Sequence, residues 1–495
     1  MYLGEPVVLK RVCRTRPIKP RQANDCRQSE HFIVPMKRIN KCAEGRECPG
    51  NRSWKGNMSW YTGDTTLEEE ANMLTGLSRI TQLVEANPDR KLQTLMHLIN
   101  KETLKEVHKG QETGKANGVD NVSKTIYGEA LEINLNDLIH RMKTFSYRPQ
   151  PVKRVYIEKE GKKELRPLGI PSYEDKLVQK VMAEVMTEIY EPKFYDFSYG
   201  FREGRNCHDA IKRLNCILMD KTNWVVDADI KSFFDSVDHE WMMKFLEHDI
   251  GDKNFLRYIK RFLKSGIMEE GKYMETDTGV VQGGSISPIM ANVYLHYVLD
   301  MWFDKKVKKA CTGMAEMVRY ADDIVFCFQY EREATAFYES LVERLAKFGL
   351  ELSDEKSKII KFGRFAGKEA GEFEFLGFRH ITGKTRTGKY VPKYRTSEKK
   401  LKAKRAKVKK WMKENIHLPI GELVKKINLK LRGHYNYYGI SHNILKLQGF
   451  YEYVKWQLKR GLNRRSQKDK TTWKNLDKLL DRFPLVRPCI KVALW

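Results

Sequence analysis

The chain has 495 residues, with 91 Lys plus Arg against 64 Asp plus Glu, giving a formal net charge of +27. Roughly two to four domains fit that length, and 41% hydrophobic with 31% charged residues excludes a disordered chain or a collagen-like repeat. No run of about 18 apolar residues occurs, which excludes a membrane-spanning helix; the positive surplus calls for a polyanionic partner, nucleic acid before a membrane surface.

Residues 1–65 are basic, rich in Gly, Pro and Asn and without sustained periodicity, so they are expected to be a poorly ordered extension. They lack an apolar signal core, and Pro6, Pro17 and Pro20 interrupt a transit helix, so a cytoplasmic, nucleic-acid-associated location is expected ahead of organellar import. None of the nine cysteines forms a CxxC pair, which argues for a reducing compartment. Cys26, His31, Cys42 and Cys48 do not follow a zinc-finger spacing.

Helical patterning begins at Thr66, where Thr66 to Glu69 forms a capping box, and recurs at Leu92, Leu95, Met96 and Ile99. Val152 to Ile157, the turn Glu160-Gly161-Lys162 and Leu165 to Ile170 predict a hairpin. A helix is expected over Tyr173 to Tyr190, with Leu177, Val178, Val181, Met182 and Val185 on one face. Trp224 to Ile230 is a strand, and Met317 to Phe328 forms two apolar arms around Tyr320-Ala321-Asp322-Asp323. Between them, Val281 to Pro288 is a glycine turn opening an apolar helix from Pro288 to Leu299. Glu372 to Phe378 is one more strand pair, with a bulge expected at Gly377. From Arg379 to Lys413, 15 of 35 residues are Lys or Arg and Glu398 is the only acid, so a domain boundary is placed after Phe378. The last hundred residues are helical and basic, with interleaved aromatics suited to phosphate contact and base stacking.

Two carboxylate clusters carry chemistry: Asp227 and Asp229 at the end of one strand, and Asp322 and Asp323 in the turn of an apolar hairpin. Adjacent aspartates repel, and a divalent cation relieves that repulsion. Carboxylates that leave coordination positions open for phosphate oxygens suit magnesium, and two such ions roughly 3.5–4 Å apart clamp an in-line phosphoryl transfer. Asp227 and Asp229 share a face of a regular strand, so physics alone does not choose between them.

The blocks Arg166-Pro-Leu-Gly-Ile-Pro171, Ser198-Tyr-Gly-Phe-Arg202, Asp229-Ile-Lys-Ser-Phe-Phe-Asp235, Gln282-Gly-Gly-Ser-Ile-Ser-Pro288, Tyr320-Ala-Asp-Asp323 and Phe375-Leu-Gly-Phe378 occur in this order. They are followed by Leu431-Arg-Gly-His-Tyr-Asn-Tyr-Tyr-Gly439. Together they resemble the group II intron reverse transcriptase, or maturase, family, over roughly residues 67–495. The resemblance implies an α+β fold: right-hand polymerase fingers and palm over 66–378, an α-helical maturase thumb over 379–465 and a tail over 466–495. It selects Asp229, Asp322 and Asp323 as the catalytic, metal-binding triad for two Mg2+ ions. It assigns Lys159, Arg166, Phe234, Gln282 and Lys356 to the deoxynucleoside triphosphate, with Phe234 excluding a 2′-hydroxyl and Phe233 in the core. Lys162 and Lys163 compete with Lys159, and Lys358 with Lys356. Phe375, Leu376, Gly377 and Phe378 correspond to the primer grip; Arg432, Lys455, Lys459, Arg460, Arg464 and Arg465 are the candidate RNA contacts, while Tyr435, Tyr437 and Tyr438 fit a core better.

The function so implied is RNA-directed DNA polymerisation by a protein that binds its group II intron RNA as a ribonucleoprotein, assists its splicing and copies it into DNA at a primed DNA target. Leu462-Asn-Arg-Arg-Ser-Gln467, Phe483-Pro-Leu485 and Arg487-Pro488 resemble the tail of the endonuclease-lacking branch. Rival readings are a splicing-only maturase, opposed by the intact aspartates and Phe234; a domesticated defence reverse transcriptase, opposed by the maturase-like block; and an RNA polymerase, opposed by the bulky Phe234.

Overall fold

The computed structural model describes residues 66–158, 165–465 and 471–494, with side chains from Gly76 onward. The expectations for residues 1–65, the four candidate zinc ligands, Lys159, the turn at 160–162 and Lys163 lie outside these residues.

Strands β1 (Val152–Glu158) and β2 (Leu165–Ile170) pair antiparallel, with Ile157 opposite Arg166. β3 (Trp224–Asp229) follows, then the short β4 (Ile267–Glu269) and β5 (Lys272–Met274), which complete a four-stranded sheet in the order β2-β1-β4-β5. β6 (Ala315–Tyr320), β7 (Asp323–Phe328) and β8 (Lys358–Lys361) join β3 in a second sheet ordered β6-β7-β3-β8. β9 (Glu372–Phe375), β10 (Phe378–Lys384) and β11 (Tyr390–Thr396) form a third. The fold is α+β: fingers and palm, then a helical thumb.

The second sheet is covered on both faces. Val226, Ala228, Ile324, Phe326 and Phe328 join the main core, which also holds helix Tyr173–Tyr190, while Val225, Val325 and Cys327 face a smaller cluster with helix Cys207–Met219. Side chains alternate along a strand, so Asp227, Asp229 and Asp323 emerge on the second face, beyond Val225 and Val325.

Three expectations change. The spacing Leu92, Leu95, Met96, Ile99 is not a helix: Leu92 bridges to Ile250, and Met96–Leu98 is a single 3-10 turn. The Asp252 carboxylate accepts from the amides of Leu95 (2.7 Å) and Met96 (3.0 Å), holding these apolar residues in the core as irregular chain. Gly377 is not a bulge. Phe375 pairs with Phe378, and the two residues between, Leu376 (φ 50°) and Gly377 (φ 75°), form a tight hairpin turn with positive φ at both centres. The basic stretch after Phe378 is not helical from its start either; it first supplies β10 and β11, whose Arg379, Lys384 and Arg395 alternate with buried His380, Val391 and Tyr394. Basic residues at outward strand positions shift the composition some twenty residues before the helices begin.

Those helices are Glu398–Asn415, Ile420–Tyr438, Ile444–Leu462 and Trp473–Arg482, packed on a separate core that includes Leu401, Val408, Leu431, Tyr435, Phe450 and Leu458. They are tied back to the palm. The Asn443 side chain exchanges hydrogen bonds of 2.8 Å with the amide and hydroxyl of Thr396, and the Leu494 carbonyl accepts from Asn215 at 3.0 Å.

Candidate active site

The β3–β7 register sets Asp229 directly opposite Asp323. Asp322 is carried on the two-residue turn between β6 and β7, whose first residue, Ala321, takes a left-handed φ of 57°. Asp227 lies one step deeper, opposite Val325 and Lys358. Asp229 is fixed by its carbonyl, which accepts from Ser353 (2.8 Å), while its carboxylate accepts a hydrogen bond from the Lys356 ammonium.

Burial, with Asp323 and Asp229 adding repulsion, pushes the Asp227 carboxyl up to about 7. Asp323, although exposed at the strand end, is raised to about 7 by desolvation first, then by the charges of Asp322 and Asp229. Asp322 is also raised, by burial first, with Arg166 and Lys356 opposing the shift. Burial and mutual repulsion thus disfavour the charged form of these aspartates, a condition that a divalent cation relieves. The donors are hard carboxylate oxygens, and they fit magnesium. Among the described residues no three His, Cys, Asp or Glu side chains stand close enough together to hold a metal ion by themselves.

Around this centre the structure gathers most of the residues expected there. Arg166 is exposed on β2 and acts electrostatically on Asp322, so the fingers strand faces the aspartates. Phe233 is buried at 2% exposure, whereas Phe234 is only partly buried and its carbonyl accepts from Val280 at 2.7 Å. The glycine turn is clamped on β2. The carbonyl of Gln282 accepts from Gly169 at 2.7 Å, and a Cβ on Gly283 would lie 2.5 Å from the Gly169 carbonyl oxygen, so only glycine permits that approach.

Phe375 and Phe378 are buried, and Leu376 and Gly377, both half-buried, form the tip of the turn expected to be the primer grip. A residue that the sequence did not single out, Lys400, comes from the first thumb helix, and its charge lowers Asp323. Its Cγ sits 3.7 Å from where a Gly377 Cβ would be. Only the fold brings a lysine 77 residues away in sequence to Asp323.

The six candidate RNA contacts lie on the thumb, apart from the carboxylates. Arg432, Arg464 and Arg465 are exposed, although Arg465 also donates to the Leu418 carbonyl. Arg460 lies over the Trp456 ring at 5.3 Å, and Lys459 over Trp473 at 5.1 Å. Lys455 is paired with Asp477 at 2.8 Å. Tyr435 is buried in the thumb core, and Tyr437 and Tyr438 pack on Phe378.

A family model described as "Reverse transcriptase (RNA-dependent DNA polymerase)" matches residues 157–380, and one described as "Group II intron, maturase-specific domain" matches residues 401–480. The Group II intron-encoded protein LtrA of Lactococcus lactis subsp. cremoris is 34% identical over 245 residues, 48% of this chain and 41% of LtrA. The chain therefore spans less than half of that relative's length. Protein YkfC of Escherichia coli (strain K12) is 31% identical over 342 residues, which cover 61% of this chain and 86% of YkfC. Nuclear intron maturase 1, mitochondrial, of Arabidopsis thaliana is 29% identical over 94 residues, 19% of this chain and 13% of that protein. With a reverse transcriptase domain ahead of a maturase domain, the chain belongs to the group II intron-encoded reverse transcriptase and maturase family.

Proposed function

We propose that this chain is an RNA-directed DNA polymerase that binds its group II intron RNA, assists its splicing and copies it into DNA from a primer at the DNA target. The observation that carries this reading is Asp229 standing opposite Asp323, with Asp322 on the adjoining turn, in a chain of this family.

Asp229, Asp322 and Asp323 would hold magnesium, and two ions there would activate the primer 3′-hydroxyl and neutralise triphosphate charge in an in-line displacement. Lys356, now on the Asp229 carboxylate, is free to swing to the triphosphate once that carboxylate is otherwise neutralised. Arg166 grips a phosphate with its planar fork; Lys159, on the same hairpin by sequence, would add a mobile charge. Phe234 closes the space beneath the sugar against a 2′-hydroxyl, and Gln282 lies beside it on the glycine turn. The Leu376–Gly377 tip steadies the primer end, and the exposed thumb arginines supply the salt-dependent affinity for RNA.

The test is primer extension on an RNA template with deoxynucleotides and magnesium, run beside splicing of the cognate intron RNA, for wild type and D322N/D323N. Extension is expected to fall by at least about a thousandfold, about 4 kcal/mol of transition-state stabilisation, while splicing is retained. Wild-type protein that promotes splicing but extends no primer overturns the polymerase reading and leaves an RNA-binding splicing cofactor.

A further inference from the structure

A charged residue stands in the middle of an apolar strand: Met317-Val318-Arg319-Tyr320 ends at the aspartate turn. Arg319 pairs with Ile324, so its side chain points to the face of the sheet opposite Asp323, toward the main core. Its side chain is 0% exposed, and so is that of its partner, Asp300.

Four hydrogen bonds engage all three nitrogens of the guanidinium. Nε donates to Asp300 Oδ1 at 2.8 Å and Nη2 to Asp300 Oδ2 at 2.5 Å. Nη1 donates to Asn292 Oδ1 at 3.0 Å and to the carbonyl of Ala321 at 3.2 Å. Ala321 is the left-handed residue that shapes the turn. Asn292 in turn donates to the Gly200 carbonyl at 2.8 Å, and a Cβ on Gly200 would lie 2.2 Å from the Ala321 amide nitrogen. The turn is therefore held from beneath by Arg319 and from the side by the Ser198–Arg202 segment.

Burying an ion pair is a poor way to gain stability, because desolvation offsets the Coulombic attraction. A left-handed alanine adds a further backbone cost. The strained Ala321 and the buried Arg319 both lie within three residues of Asp322, and Asp300 closes a π-helical stretch, His296–Asp300, a distortion that recurs at functional sites. Nothing about a plain hairpin requires this arrangement. Fixing the backbone that carries two adjacent aspartates is a use for it.

We propose that Arg319, anchored by Asp300 and Asn292, is a positioning residue that sets the Ala321 turn so that Asp322 and Asp323 present their carboxylates jointly to the metal. The inference rests on the reading of the aspartates as metal ligands, and the experiment separates the two.

Two variants are compared with wild type. Arg319→Lys keeps the charge but loses the fork, and Asn292→Ala leaves the Arg319–Asp300 pair in place while cutting the links to Arg319 Nη1 and to Gly200, which gives a second, independent variant. Mn2+ binding is measured by the loss of the free-ion paramagnetic resonance signal, with protein bound to an RNA template carrying a dideoxy-terminated primer and the next deoxynucleotide. D322N/D323N serves as the reference without site-specific binding, and thermal unfolding monitors the fold. Both variants are expected to weaken the aspartate-dependent Mn2+ binding, by about tenfold for Arg319→Lys and less for Asn292→Ala. Turnover in primer extension should fall by at least about tenfold for Arg319→Lys, with KM for primer–template within about twofold. Mn2+ affinity and turnover both unchanged in the folded variants overturn the positioning role alone. Wild type that binds no more Mn2+ than D322N/D323N overturns the metal-site reading, and the proposal with it.

Discussion

Tyr437 lies flat on Phe378, with ring centroids 5.8 Å apart and planes 11° from parallel, and its hydroxyl donates to the Leu376 carbonyl at 3.0 Å. Helix Ile420–Tyr438 is thereby keyed into the Leu376–Gly377 turn, and the backbone carbonyl of Tyr437 meets His208 Nε2 at 2.7 Å on the palm side. Tyr437→Phe keeps the ring contact and removes one hydrogen bond, a change of about 0.5–1.5 kcal/mol. We expect KM for primer–template to rise by about three- to tenfold with little change in kcat, as that energy implies. An unchanged KM would mean that thumb and grip are not coupled through this residue.

Phe234 is the half-open partner of the buried Phe233. Phe234→Ala should let ribonucleotides in, lowering the preference for deoxynucleotides by about 10- to 100-fold, the scale for reshaping an apolar pocket. Competing rates of single-nucleotide addition measure it. Phe233→Ala should instead lower stability by about 3–5 kcal/mol, as for other buried aromatics.

Arg166 acts on Asp322 from the fingers sheet. Arg166→Ala is expected to raise KM for deoxynucleotides by about tenfold or more, given about 1.5–3 kcal/mol for a hydrogen bond to a charged group. Arg166→Lys should recover only part of it, because the fork is lost. Nucleotide titrations at saturating primer–template decide this.

Several histidines are buried among the described residues, including His296, His380 and His434. Burial pushes His380 and His434 down to about 3 and His296 to about 4, against an ordinary value of 6.5. A base with a folded-state pKa below its unfolded value binds protons more readily when unfolded. The stability it contributes is complete above about pH 6.5 and drains away as pH falls toward the folded value, at about 1.4 kcal/mol per unit. These histidines therefore lower the melting temperature between pH 7.5 and 5, against the opposite contribution of the raised Asp227 and Asp323 carboxyls. His380 stacks on Phe373 at 4.6 Å, so His380→Phe should flatten that slope; an identical slope would remove His380 from the account.

On the thumb, Arg464 is exposed and Lys455 is paired with Asp477. Arg464→Ala should weaken RNA binding across sequences and reduce the magnitude of the log K against log salt slope by about 0.7–0.9. Lys455→Ala should change the slope less. Filter binding from low to high salt distinguishes them, and equal effects would make the Asp477 pairing irrelevant to RNA.

Sequence reasoning located the helix Tyr173–Tyr190 and both aspartate-bearing strands because their periodicities are long and their polar residues sit at strand ends. It recovered the Arg166, Phe234 and Gln282 neighbourhood only through block order, since nothing local says that the glycine turn packs on Gly169. It could not reach Lys400, Arg319 or Asp300, whose partners lie far along the chain or on the hidden face of the sheet. An arginine inside Met317-Val318-Arg319-Tyr320 was the one visible signal. The helical reading of Leu92 to Ile99 failed because a carboxylate 157 residues later in the chain fixes that backbone.

The face-to-face register of Asp229 and Asp323 also determines which genetic changes this chain can absorb. Adding or removing one codon within Val225–Asp229 or Asp323–Phe328 turns the following side chains to the opposite face of the sheet, so the reading frame survives while the chemistry does not. The same in-frame change at residues 385–389, between Lys384 and Tyr390, only lengthens or shortens a hairpin tip. A scan of single-codon insertions should thus trace the catalytic register as a lethal stripe, with length variation accumulating in the outer hairpins.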